Sequence, residues 1–338
     1  MRKIICSFLA FGLVFQAVPP ISLAQSAGTI SAPSIVLLEP GTRKILYSRR
    51  PHQRHSPAST TKIVTALVVL DSLPLDHWVT VSPAVEDVEP SKLYLKKGDR
   101  LRVLGLIKAT LMNSANDAAR ALAIEVAGSE GRFAKRMTKK AHELGAKNTR
   151  FVNASGLPAS GQYSTAYDLA LIMEEAAKQP VLVSILKEKN AVIRTQEGKR
   201  FYLKSHNKML WRAHDVIGKT GWTRAAKYCF LGIIRSVGRE AIVSMLGSHR
   251  LWSDLGSLVD KFLRLVGAKD RFLVYGSRGR DVRRLQAALK KAGFFSVTPT
   301  GYFGTKTKEA VSQFQRAQGL RADGIVGLQT RRALAAYY

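Results

Sequence analysis

From Ser59 to Leu70 the chain is apolar nearly all round once past its first turn. A helix of that kind has no face to offer water, so other elements must enclose it. Its first turn reads Ser59-Thr60-Thr61-Lys62, preceded by Pro57. Ser59 stands where free N–H groups and the helix dipole favour negative charge. Lys62 comes one turn later, so the two side chains face the same place. An N-capping serine followed by a surface lysine is the plainer reading. It fits poorly, because Lys62 adjoins the apolar Ile63-Val64 run. Buried near another cation, its pKa would fall, as a general base requires.

The rest of the chain supplies the enclosure. Ile35 to Leu38 and Lys44 to Tyr47 have strand character around the Glu39-Pro40-Gly41-Thr42 turn. Leu101 to Met112, Ala115 to Val126, Arg132 to Leu144 and Thr165 to Ala177 have helical patterns, the last with Thr165 as N-cap. Val216 to Gly221, Tyr228 to Ile234 and Ala241 to Leu246 read as strands, and Leu251 to Val266 as a closing helix. Strands at both ends with helices between them predict an α+β domain: an antiparallel sheet built from the two termini, against a helical cluster. Gln25 to Ala32, small and polar, reads as disordered.

After Gly267 the character changes. Arg280 to Ala292 is an amphipathic helix with Val282, Leu285 and Leu289 on one face. Gly301-Tyr302-Phe303-Gly304, Thr307 and Ala310 then recur 23 positions later as Gly324-Ile325-Val326-Gly327, Thr330 and Ala333 (324 − 301 = 23). The expected layout is a targeting segment at 1–24, a first domain at 25–266, a linker at 267–275 and a three-helix module at 276–338.

The chain carries 53 Lys and Arg against 24 Asp and Glu, a formal net charge of +29. Such an excess favours anionic partners such as nucleic acid, acidic polymers or anionic lipid. Arg2 and Lys3, the apolar run Ile4 to Val18, and Ser22-Leu23-Ala24 resemble a cleaved secretory signal, with cleavage after Ala24. A retained N-terminal anchor is the alternative, although the run is short for a membrane span. Export argues against nucleic acid and leaves the bacterial envelope, periplasm or wall, with its anionic surface, as the natural home. Cys6 lies in that segment, so Cys229 would be the single cysteine of the mature chain; in Tyr228-Cys229-Phe230-Leu231 it reads as a buried small residue. The seven histidines show no His-Glu-x-x-His spacing, so no metal and no cofactor is expected.

Two more short motifs follow in fixed order: Ser114-Ala115-Asn116, then Lys219-Thr220-Gly221. The first lies between helical patterns and would pass alone for a helix-break loop. The second ends a strand; it offers a cation, a hydroxyl and a glycine that allows close backbone approach. With Ser59 and Lys62 they supply a nucleophile, a base, polar groups for a peptide amide and a clamp for a carboxylate.

Extended segments around the motifs carry a resemblance. They are Pro57 to Lys62, Leu111 to Ala119, Phe151-Val152-Asn153-Ala154-Ser155-Gly156-Leu157 and Gln162 to Ala170. From about 30 to 266 the chain resembles the serine-type D-Ala-D-Ala carboxypeptidases, the low-molecular-mass penicillin-binding proteins, with a β-lactamase/transpeptidase-like fold. The resemblance implies that Ser59 attacks the amide between two D-alanines, Lys62 takes its proton and Ser114 relays a proton to the leaving amine. It implies that Asn116 holds the substrate backbone, that Lys219 and Thr220, followed by Gly221, hold the terminal carboxylate, and that the amides of Ser59 and Trp222 form an oxyanion hole. It further implies peptidoglycan stem peptides as substrate and β-lactams as covalent inhibitors. Many such enzymes have an acidic residue two before the Lys-Thr-Gly lysine; here it is Ile217, with Asp215 further back. Lys208 to Phe230 also resembles D,D-endopeptidases, which cut cross-links. Both reactions stay open. A β-lactamase is disfavoured, since no Glu-x-x-Leu-Asn string occurs between Asn116 and Lys219; an inactive wall-binding protein is a further alternative.

Residues 276 to 336 resemble the peptidoglycan-binding domain of wall hydrolases, through Leu285-Gln286, Gly301, Phe303-Gly304, Thr307, Phe314-Gln315, Asp323-Gly324, Val326-Gly327, Thr330 and Leu334. That implies the wall polymer as a second partner. The module stands where many relatives carry an amphipathic membrane anchor, so wall binding is expected to replace tethering.

Overall fold

The computed structural model describes residues 30–212, 215–236, 239–266 and 273–338. The signal segment expected at 1–24, and residues 267–272 of the expected linker, lie outside the described residues. The chain enters through β1 (Ser34–Leu38) and β2 (Ile45–Arg49). A 3₁₀ turn, Ala58–Thr61, leads into α1 (Lys62–Leu70). β3 (Trp78–Thr80) and β4 (Arg100–Arg102) pair before α2 (Val103–Met112), α3 (Asn116–Ala127) and α4 (Glu130–Glu143). α5 (Ala166–Ala177) and α6 (Pro180–Lys187) precede a hairpin of β5 (Asn190–Arg194) and β6 (Arg200–Lys204). Then β7 (Asp215–Thr223), β8 (Lys227–Ser236) and β9 (Arg239–Ser248) return to the first strands, and α7 (Leu251–Leu265) follows.

The large sheet runs β2-β1-β9-β8-β7, antiparallel throughout. This is the predicted α+β architecture, with the sheet assembled from both ends of the domain. Both of its faces are buried, and strand alternation sorts the side chains between them. Ile35 and Leu37 of β1, Phe230 and Ile234 of β8, and Val243 and Met245 of β9 pack against Leu255, Leu258 and Phe262 of α7. Val36, Leu38, Leu231, Ile233 and Ile242 point the other way, into the helical cluster. Within that cluster every residue of α1 from Lys62 to Val69 is buried, as its all-round apolar sequence requires.

Several local signals act as their chemistry predicts. Thr165 Oγ1 accepts the Asp168 N–H at 3.0 Å and caps α5. Ser129 caps α4 by accepting from Arg132 N–H. Other features depart from the sequence reading. The helix expected from Ser59 begins as a 3₁₀ turn and becomes α-helical only at Lys62. Ile30 and Ala32 are buried rather than disordered. The reason is Asp254 of α7: its carboxylate accepts the N–H of Ser31 at 3.0 Å, the N–H of Ala32 at 3.2 Å, the Ser31 hydroxyl, and the Ser248 hydroxyl at 2.8 Å. α6 and the β5–β6 hairpin had not been foreseen.

The C-terminal part has its own core around Val282, Leu285, Leu289, Phe303, Val311 and Phe314. It contains α8 (Arg280–Lys291), α9 (Thr305–Ala317) and α10 (Leu328–Leu334). The 23-residue repeat has a shared physical basis. Gln286 accepts the Gly301 N–H at 2.9 Å and donates to Tyr302 O and Thr307 Oγ1. Gln315 accepts the Gly324 N–H at 2.9 Å and donates to Ile325 O and Thr330 Oγ1. In each copy a buried glutamine closes the glycine turn onto the following helix. Leu273, within the expected linker, pairs with Val326 and belongs to this core.

Removing the Asp254 carboxylate leaves the Ser31 and Ala32 N–H groups and the Ser248 hydroxyl without their acceptor. Asp254→Ala is expected to cost about 2–4 kcal/mol of stability. A loss below about 0.5 kcal/mol in denaturant unfolding, the range of an ordinary surface substitution, would show that this junction is not structural.

Candidate active site

The three motifs meet at one place. Ser59 comes from the 3₁₀ turn, Lys62 from the start of α1, Ser114 and Asn116 from the α2–α3 junction, and Lys219 from β7. Lys62 is completely buried. Its Nζ lies 3.1 Å from Ser59 Oγ, 2.7 Å from Asn116 Oδ1 and 2.6 Å from the Ser155 carbonyl oxygen. Lys219, also buried, donates from Nζ to Ser114 Oγ at 3.0 Å and to Thr220 O at 2.7 Å. Alternation along β7 explains its aim: Lys219 shares the face of Ile217, which packs in the helical cluster.

Burial sets the electrostatics. It pushes the Lys62 pKa well below the usual lysine value, and the charge of Lys219 lowers it further; Glu130 and Asp117 oppose this from farther out. Burial also brings Lys219 down to about 7. The position two before Lys219, on the same face, is the buried apolar Ile217. His206 lines the same cleft and is held down to about 4 by desolvation and then by Lys219 and Lys62, so it is neutral at pH 7. Cys229, buried on β8 opposite Gly221, is pushed up to about 12 by burial, which keeps it a thiol rather than a thiolate at neutral pH.

The backbone is shaped to hold these groups. Ala58 and Ser114 both have left-handed φ values, 48° and 59°. For residues with a Cβ this costs roughly 1–2 kcal/mol each. Both lie beside the nucleophile or within the site. A Cβ on Gly221 would stand 2.8 Å from Ser59 N and 3.0 Å from Ala58 Cβ. The sequence reading gave this glycine the task of admitting a substrate strand. Here it also admits the protein's own Ser59 turn. Gly156 does the same from the other side: at φ +82° its Cβ would fall 1.8 Å from Ala58 O.

Several site residues were missed or left without a role in the sequence. The Phe151 to Leu157 segment was singled out, but nothing in it predicted that the Ser155 carbonyl would hold Lys62. That carbonyl is positioned indirectly: Glu130 accepts the Ala154 N–H at 3.1 Å and pairs with Arg120 at 3.0 Å. Asn116 is steadied by donating from Nδ2 to Glu89 O at 2.8 Å. Asp117 accepts the N–H groups of Leu93 and Leu95, tying the 86–99 loop to α3.

An open cleft of about 860 Å³ fronts this constellation. Ser59, Ser114, Asn116, Thr220, Gly221 and Trp222 line it, together with Lys204, Lys208, Trp211, Tyr228 and Trp252. Among the described residues lining it there is no Asp or Glu. β7 is the edge strand of the sheet, so one side of its backbone faces the Ser59 turn rather than another strand.

Comparison with known proteins agrees with this geometry. A family model described as D-alanyl-D-alanine carboxypeptidase matches residues 21–249, and one for a peptidoglycan binding domain matches 278–334. The chain is 30% identical over 319 residues to the D-alanyl-D-alanine carboxypeptidase DacF of Bacillus subtilis, covering 91% of this chain and 82% of that protein. It is 31% identical to a D-alanyl-D-alanine endopeptidase of Pseudomonas aeruginosa, over 67% of this chain and 75% of the relative. The solved structure of a D-alanyl-D-alanine carboxypeptidase from Mycobacterium tuberculosis superimposes with a TM-score of 0.67 at 29% identity, covering 70% of this chain and 92% of the other. A half-buried serine on a buried lysine at the mouth of a sheet-edge cleft, in a fold and sequence shared over most of the chain, leads to one conclusion: the protein belongs to the D-alanyl-D-alanine carboxypeptidase family.

Proposed function

We propose that the protein is a serine D,D-carboxypeptidase that removes the terminal D-alanine of peptidoglycan stem peptides through an acyl-enzyme on Ser59. One observation carries the reading. A neutral lysine amine has two N–H donors and one lone pair. Asn116 Oδ1 and Ser155 O are acceptors for the two donors of Lys62, at 2.7 and 2.6 Å. The lone pair is then left for the hydroxyl proton of Ser59, 3.1 Å away. Burial, and then the charge of Lys219, push that amine well below the usual lysine value and so favour its neutral form.

The reaction follows from these positions. The terminal carboxylate sits on Lys219 and the Thr220 hydroxyl. The substrate lies along the edge of β7, and Asn116 holds its backbone. Ser59 Oγ attacks the carbonyl carbon of the penultimate D-alanine while its proton passes to Lys62 Nζ. Developing charge on the carbonyl oxygen is met by the N–H groups of Ser59 and Trp222, which Gly221 allows to lie on adjoining chains. The C–N bond breaks as Ser114 Oγ gives a proton to the leaving amine and regains one from Lys62. Water, deprotonated by Lys62, then releases the acyl group. A β-lactam presents the same carbonyl and carboxylate and would remain on Ser59.

The reading extends to the whole chain. Residues 1–24 direct export, 25–266 catalyse, and 276–338 hold the wall polymer. The site of action is the periplasm or wall. A second reading is D,D-endopeptidase, favoured by Ile217 at the usual acidic position and by the similarity to the Pseudomonas aeruginosa endopeptidase.

Fluorescent penicillin is expected to label the wild type covalently and not Ser59→Ala; label that survives the substitution would remove Ser59 as nucleophile. A peptidoglycan digest read by mass spectrometry separates the two reactions. Loss of one D-alanine from pentapeptide stems marks the carboxypeptidase, and conversion of dimers to monomers marks the endopeptidase.

The pH dependence has a defined sign. Lys62 must be neutral, so kcat/KM rises with pH through its lowered pKa. Lys219 must be charged to hold a carboxylate, so kcat/KM falls as pH passes about 7. A substrate ending in a carboxamide is expected to lose the alkaline limb; an identical limb for both substrates would show that Lys219 does not bind the carboxylate. The C-terminal module is tested by sedimentation: full-length protein is expected to pellet with purified peptidoglycan and a 1–266 truncation to remain in the supernatant. Equal pelleting of the two would refute its role.

A further inference from the structure

The acyl transfer just described uses only the Trp222 N–H of the hairpin that follows Gly221 and none of its side chains, yet its composition is unusual. It reads Trp222-Thr223-Arg224-Ala225-Ala226-Lys227-Tyr228. Trp222 is 57% and Tyr228 41% exposed, although they are cross-strand partners whose rings lie 6.3 Å apart. Two large aromatic side chains left in water are costly unless something covers them. Both line the cleft. Arg224 and Lys227 flank them, exposed, and neither forms an ion pair among the described residues. The cleft wall adds Lys204 and Lys208 and no carboxylate.

Position along β7 says which part of a substrate would arrive there. An extended chain advances about 3.3 Å per residue, in the strand and in a peptide paired with it. With the terminal carboxylate at Lys219 and Thr220 and the attacked carbonyl on the Trp222 N–H, the next step passes the Trp222 side chain and reaches Thr223. This is the stem residue that precedes the acylated D-alanine. Its side chain would meet an aromatic pair and then two unpaired cations.

We propose that the β7–β8 hairpin selects the stem residue preceding D-Ala-D-Ala, favouring a diamino dicarboxylic acid over lysine. The aliphatic arm lies on Trp222 and Tyr228, and its distal carboxylate faces Arg224 and Lys227. The two amino acids differ by that one carboxylate. Lysine would bring only an ammonium group to a surface already cationic and lacking acids. This deepens the carboxypeptidase reading and rests on it for the direction in which the substrate lies.

The test uses full-length Ser59→Ala protein, in which binding is read without turnover, and two N-acetyl tripeptides ending in D-Ala-D-Ala. One begins with 2,6-diaminopimelate and the other with lysine. Titrations follow tryptophan fluorescence. The diaminopimelyl peptide is expected to bind about five- to tenfold tighter at low salt, the size of two exposed charge pairs. That ratio should shrink toward one in 0.5 M salt, where the screening length is only about 4 Å. Arg224→Glu/Lys227→Glu, both exposed at the hairpin end, should reverse the preference. Equal binding, a lysyl preference, or a ratio unchanged in the double variant would overturn the proposal. So would a double variant that loses only its adhesion to phosphatidylglycerol vesicles, which would make the hairpin a lipid contact. Failure of the catalytic reading is seen separately, as wild-type protein that takes no penicillin label while the binding preference persists.

Discussion

The structure turns on the burial of Lys62. An amine placed in an apolar interior must lose its charge or be held by oxygen acceptors; here its pKa is pushed down and two oxygens hold it. The acceptors come from two separate elements, α3 through Asn116 and the 151–157 loop through Ser155. Each is braced in turn, by the Glu89 carbonyl on one side and by Glu130 on the other. The helical cluster therefore does two things at once. It encloses an apolar helix that could not face water, and it strips a lysine of solvent one turn from a serine.

The sheet supplies the second half of the site through its edge. Because β7 is the edge strand, its backbone can lie against the Ser59 turn on one side and β8 on the other. Gly221 makes the contact close enough, and alternation sends Lys219 inward to Ser114. The left-handed backbone at Ala58 and Ser114 is the local cost of bringing three motifs to one point. Packing on both faces of the sheet holds that arrangement, with α7 on one side and the cluster on the other.

Some elements were legible from the chain because one interaction dominated each of them. The α1 stretch was apolar all round, and α5 had Thr165 as cap; both helices exist. The repeat after Gly267 was visible as glycines and threonines at constant spacing, although not as the buried Gln286 and Gln315 clamps that make it necessary. Other elements were hidden by competing signals. β5 and β6 alternate over only five residues each, with charged residues on both sides of their turn, and the sequence reading assigns no element there. Ile30 to Ala32 looked structureless because its order is imposed by Asp254, 222 residues away from Ala32.

The sequence by itself determined the chemical inventory: Ser59 and Lys62 one turn apart, Ser114 and Asn116, Lys219 to Gly221, and a repeated module after them. Helical periodicity alone is enough to put Ser59 beside Lys62. The tertiary structure decided which of these residues touch, and in what state of charge. Ser59 and Lys219 lie on elements distant in the chain, and Ser155 offers a carbonyl that every residue possesses. Their meeting depends on packing of the cluster against a sheet edge, and the lowered pKa of Lys62 depends on burial that no local motif encodes.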